Sequence, residues 1–237
     1  MRLNLEKLRE DLGSYLFDGC GVPETRKTIV LISHEHVDEI PHPGELLRRH
    51  PEVRDIFMPS EVYLKLMWGF YRGIIYAFQE NFRQNFHVFQ SEHIWDRLWR
   101  VNEELMAFRV EHEATERIFS SKSTLGYAVK GVFCYFPECT GDFLLKRGER
   151  IVRAVEPTYV IVPPPSLVHK LSEDHLTAFI ERIRSLDQIT VLTAVNSVMD
   201  GDIVLTDDLG LKPKGVPVLP KIVSSVFDVL GGEEPLY

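Results

Sequence analysis

Cysteine is scarce in this chain. Cys20, Cys134 and Cys139 make three among 237 residues, an odd number without Cys-x-x-Cys spacing. That fits free, buried thiols in a reducing compartment better than a disulfide framework. A secretory signal is also missing: Met1–Glu10 (MRLNLEKLRE) places charges where a signal peptide needs an apolar core. Long hydrophobic runs are absent too, since the most apolar stretch, 62–78, is interrupted by Lys65 and Arg72 and falls short of the roughly 20 residues that span a bilayer. The expectation is a cytoplasmic chain with no membrane span. Nor is there a basic surplus. With 27 basic against 35 acidic residues, the net charge of −8 disfavours a broad nucleic-acid footprint, although a small basic cleft can hold a phosphate on an acidic protein. Internal repeats and low-complexity segments are lacking, and 44% hydrophobic residues are too many for a disordered chain. The length suits one compact domain over 1–237.

What the chain does have is short β-branched runs between turn signals. Segments 28–32, 53–58, 159–162 and 189–192 read as strands, the first and third continuous enough to be buried on both faces. Segments 125–129 and 132–136 read as a hairpin with Lys130-Gly131 at its turn, and 203–205 as a further strand. Segment 44–50 reads as a short helix stopped by Pro51. The clearest helix is 172–186, with Ser172 as N-cap and Leu176, Phe179, Ile180 and Ile183 on one face. Strands alternating with helices predict a layered α/β fold.

Residues 61–103 differ in character. Trp68, Trp95 and Trp99 all fall there, with Phe70, Tyr71, Tyr76, Phe78, Phe82, Phe86 and Phe89. Apolar residues cover almost every face of 62–78, so the segment is expected to be helical and covered. It reads as a helical pair packed on the domain, a surface for a homo-oligomer, or an apolar substrate lid.

The chemistry concentrates in Ile32-Ser33-His34-Glu35-His36-Val37-Asp38-Glu39, directly after a buried strand. Imidazoles at i and i+2 of an extended chain point the same way, and an Asp two residues on can join them as the loop turns. Such a set suits a transition metal bound through N and O.

With Phe17-Asp18-Gly19 before it, this segment resembles the signature of the metallo-β-lactamase-fold superfamily, His-x-His-x-Asp-His after a strand. Further matches follow in family order: Val110-Glu111-His112, Leu125-Gly126-Tyr127, Cys139-Thr140-Gly141-Asp142 and Met199-Asp200-Gly201-Asp202. The resemblance covers about 16–206 and implies a four-layer αββα sandwich, with 61–103 as a helical, aromatic-rich insertion. It implies one complete metal site from His34, His36, His112 and Asp142. The second site would use Asp38, Glu39, position 194 and Asp142. Glu39 and Ala194 stand there where the family has histidines, so this site is incomplete. Only 33 residues precede the signature, so the family's amino-terminal strands are trimmed or rearranged. His175-Leu176-Thr177 resembles the His-Ser-Thr of the tRNA-processing branch, whose histidine assists the leaving group, and His169 is a stand-in ligand.

Two expectations of different classes result. The first is a hydrolase using a metal-activated water, with Zn (or Mn or Fe) at one site, Asp38 orienting or deprotonating the water, and His175 protonating the leaving group of a small-molecule substrate, a phosphoester before a thioester or lactone. The second is a catalytically degenerate protein of the same fold, acting as a binding or assembly module.

Overall fold

The computed structural model describes residues 5–18, 21–22, 25–34, 50–60, 62–63, 85–89, 98–111, 124–137, 139–162, 173–186, 189–195 and 204–206. Two sheets form among them. The first is all parallel, in the order β1 (Tyr15–Phe17), β2 (Ile29–Leu31), β3 (Asp55–Pro59), β4 (Asn85–Phe89), with Tyr15 opposite Ile29, Ile29 opposite Asp55 and Asp55 opposite Asn85. The second contains β5 (Trp99–Arg100), β6 (Leu105–Val110), β7 (Thr124–Val129), β8 (Phe133–Tyr135), β9 (Tyr159–Val162), β10 (Thr190–Val195) and β11 (Val204–Thr206), neighbours in sequence being neighbours in space. Strands β8, β9 and β10 run parallel and the other pairs antiparallel.

Alternation along the strands assigns the faces. Leu125, Tyr127, Phe133, Tyr135, Tyr159 and Ile161 of the second sheet pack with Phe17, Leu31 and Phe57 of the first. The intervening Ala128, Cys134, Val160 and Val162 pack instead against the helices α2 (Gly141–Phe143), α3 (Glu149–Val155) and α4 (Glu173–Arg184). The second sheet is therefore covered on both sides, which is why Tyr159–Val162 is apolar at every position and wholly buried. Each such side chain contributes about 1.5–3 kcal/mol by leaving water. In the seam between sheets, the Phe17 and Phe133 rings meet edge to face with centroids 5.0 Å apart.

The amino-terminal residues form a helix, α1 (Leu5–Leu12), whose Leu8 and Leu12 enter the inter-sheet core. Buried Lys27 ties the end of α1 to the loop before β2, donating to the carbonyls of Gly13 at 2.9 Å and Val22 at 2.6 Å and to the Thr25 hydroxyl. Among the described residues no helix is long and apolar enough to cross a membrane.

Three expectations are sharpened or corrected. The predicted strands and the 172–186 helix are present with ends shifted by a few residues. The hairpin loop is one residue longer than expected. Val132 N–H closes the turn on the Val129 carbonyl and Val129 faces Phe133, because Gly131 takes a left-handed conformation, φ 77°, that leaves Val132 out of the pairing. Within 61–103, expected to be helical, Asn85–Phe89 and Trp99–Arg100 are strands, each at a sheet edge. The helical expectation came from the apolar coverage of 62–78 and does not extend to these two stretches, which pair with β3 and β6. Of the expected 44–50 helix, 44–49 lie outside the described residues and His50 is not helical.

Glycine carries different weight at two positions. A Cβ on Gly126 would overlap the Phe108 ring and come within 2.8 Å of the Tyr135 carbonyl oxygen, whereas nothing lies near one on Gly131. Gly126→Ala is expected to cost about 3 kcal/mol in urea denaturation. Gly131→Ala should cost only about 1 kcal/mol, from backbone conformation alone.

Candidate functional site

The parallel strands β1 and β2 end side by side, so Asp18 and Ser33-His34 leave the first sheet at one rim. The second sheet closes on the same rim through three bonds: Leu125 N–H to the Ser33 carbonyl at 3.0 Å, Tyr127 hydroxyl to the Ile32 carbonyl at 2.7 Å, and Tyr135 hydroxyl to Asp18 Oδ2 at 2.6 Å. Asp18 sits in the left-handed region at φ 49°, which Asp tolerates better than most residues.

Its carboxylate is buried and collects three donors. Besides Tyr135, Oδ1 accepts from Ser33 N–H at 2.7 Å and Oδ2 from the Ser33 hydroxyl at 2.6 Å. Burial pushes the Asp18 carboxyl above the usual carboxylate range, against the pull of the His34 ring and these donors. Ser33 Oγ also lies 2.5 Å from His34 Nδ1. With the Ser33 hydroxyl donating to Asp18, Ser33 Oγ can accept from an Nδ1–H of His34. A neutral ring making that bond carries its proton on Nδ1. Ser33 and Asp18 thus stand behind a buried imidazole in the way outer-shell groups stand behind metal-binding histidines.

Thr124, fully buried, begins β7 opposite Val110 and beside Leu125, and its Oγ1 has no hydrogen-bond partner among the described residues. A buried hydroxyl without a partner marks this rim as a place where a polar group is still to be supplied.

A second cluster grows from the helix layer. Thr140 N–H bonds the Glu111 carbonyl at 2.8 Å, anchoring the segment after β8 to the end of β6, and Thr140 Oγ1 caps α2 by accepting from Phe143 N–H at 3.2 Å. Asp142 therefore stands exposed in the first turn of α2. Its Oδ2 accepts from Lys146 Nζ at 2.7 Å and its Oδ1 lies 2.8 Å from His175 Nδ1. The Lys146 ammonium holds the Asp142 carboxyl below the usual range, with His175 adding to the effect. The turn Leu144–Gly148, which carries Lys146, is π-helical, and Gly148 lets Phe179 of α4 approach closely, since a Cβ there would lie 2.7 Å from the ring. His175, one turn earlier on the same face of α4, is thereby delivered to Asp142.

Of the residues read from the sequence, His34 is buried within the first network, and Asp142 and His175 are brought together in the second. His36, Asp38, Glu39, His112 and His169 lie outside the described residues. Ala194 lies on β10 opposite Leu205. Among the described residues no three His, Cys, Asp or Glu side chains are gathered for a metal ion. Sequence reasoning missed Ser33, Tyr135 and Lys146. Only Lys146 left a signal, its i+4 spacing from Asp142.

No family model matches this chain, and no curated protein matches it. Among solved structures it is similar to Igni18, a novel metallo hydrolase from the hyperthermophilic archaeon Ignicoccus hospitalis. The two are 14% identical over 71% of this chain and 76% of that one, with a TM-score of 0.37. A similarity at that score does not by itself define a shared fold.

The Asp18 network generates a graded prediction. Asp18→Ala leaves two hydroxyls and a buried N–H without their acceptor and should cost about 3–5 kcal/mol in urea denaturation. Tyr135→Phe removes one donor and should cost about 1 kcal/mol, with far-ultraviolet circular dichroism unchanged.

Proposed function

We propose that this protein is a metal-dependent hydrolase, a single four-layer αββα domain of the metallo-β-lactamase type, acting on a small-molecule substrate and within that class on a phosphoester. The observation that carries the reading is the Asp18–Ser33–His34 network: a buried carboxylate and hydroxyl stand behind Nδ1 of one buried imidazole, at the rim where the two sheets meet. The donor chemistry fits a Zn, Mn or Fe ion, since imidazole and carboxylate together are borderline ligands, and the orphaned Thr124 hydroxyl adds a polar demand at the same rim.

His34, His36, His112 and Asp142 would hold the ion, and Asp38 and Glu39 are the oxygen donors of an incomplete second position. When bound, the ion supplies a water of pKa about 7 and polarises the substrate oxygen. Asp38 takes a proton from the attacking water. His175, oriented by the Asp142 carboxylate on its Nδ1, presents Nε2 to the leaving oxygen and protonates it.

A second reading has its own observation. Both Asp142 oxygens already have cationic or hydrogen-bonding partners, and Ala194 offers no ligand. On that footing the chain is a degenerate member of the fold, working as a binding or assembly module through 61–103, where two copies of the chain would meet.

Elemental analysis of purified protein is expected to find about one equivalent of Zn, Mn or Fe, lost in the His34→Ala, His36→Ala double variant. Protein without metal and indifferent to chelator overturns the hydrolase reading. On a generic phosphodiester, Asp38→Ala and His175→Gln should each lower turnover by about 10²–10⁴-fold. Turnover unaffected by either substitution, or none in the metal-loaded protein on phosphodiester, thioester and lactone alike, favours the module.

A further inference from the structure

We propose that Lys146 sets the cation affinity of the site: its ammonium competes with the ion for the Asp142 carboxylate and gives way when the ion binds. The inference rests on the metal-binding reading above and adds a residue that reading does not use.

Asp142 has two oxygens and two partners, His175 on Oδ1 and Lys146 on Oδ2. An ion ligated by this carboxylate must share or take at least one of them. The two partners are not equally able to move. His175 belongs to α4, whose neighbouring Leu176 and Phe179 are locked in the core. Lys146 reaches Asp142 on a flexible stem, with its side chain 73% exposed, so it can leave without disturbing any packing. The ammonium can therefore leave while Asp142 turns to the ion. Such a pair weakens binding without abolishing it, as expected for an exposed ion pair.

The test is equilibrium Zn²⁺ binding against a chromophoric chelator, at low and high salt, for the parent and for Lys146→Met, Lys146→Gln and Lys146→Arg. Met and Gln should bind zinc about three- to tenfold more tightly, and Arg, which keeps the charge, should return to the parent value. The gain should shrink in high salt and vanish in an Asp142→Asn background. If zinc binding remains dependent on His34 but Met and Gln bind no more tightly than the parent, the role of Lys146 is overturned and the hydrolase reading stands. If no variant binds zinc through His34, both fall together.

Discussion

One buried carboxylate joins the parts on which the candidate site depends. Asp18 leaves the first sheet in a left-handed conformation and receives a hydroxyl from the second sheet, while also taking both the backbone and side-chain protons of Ser33. An ionised group in such a place is costly unless fully satisfied, and three donors satisfy it. The same rim carries the bonds that tie the two sheets together and places Ser33 Oγ against His34 Nδ1. Stability and the chemistry of the rim therefore draw on one set of contacts.

The helix layer supplies the other half by a different physical route. No buried charge is involved. Close packing at Gly148 brings Phe179 onto the π-helical turn, and the helical repeat then carries His175 to an exposed carboxylate. The pair His175–Asp142 is consequently built on rigid elements even though both side chains meet solvent. Lys146, by contrast, is held by its exposed hydrogen-bonded ion pair with Asp142. A site with one immobile and one mobile partner on the same carboxylate can trade the mobile one for a ligand.

Much of the fold was legible because it is local. Tyr159–Val162 and Thr190–Val195 announce themselves by β-branched composition, and the 173–184 helix by its apolar stripe and acidic first turn. The misreading of 85–89 and 99–100 has an equally physical origin. Both are edge strands whose state is set by the neighbour they pair with, and neither a period of two nor a period of 3.6 marks them clearly. The hairpin turn was anticipated, but its length followed from the left-handed Gly131, which the dipeptide does not specify.

The sequence by itself determined the donor types and their placement at strand ends: imidazole at position 34 after β2, carboxylate at 142 after β8, imidazole at 175 in the first turn of a helix. Only the tertiary structure decided which of these groups meet. Tyr135 reaches Asp18 across 117 residues of chain because two sheets pack face to face, and His175 reaches Asp142 because a glycine admits an aromatic ring. Residue type and local period are encoded within a few positions. Partnership between distant side chains is fixed only when the core that carries them has closed.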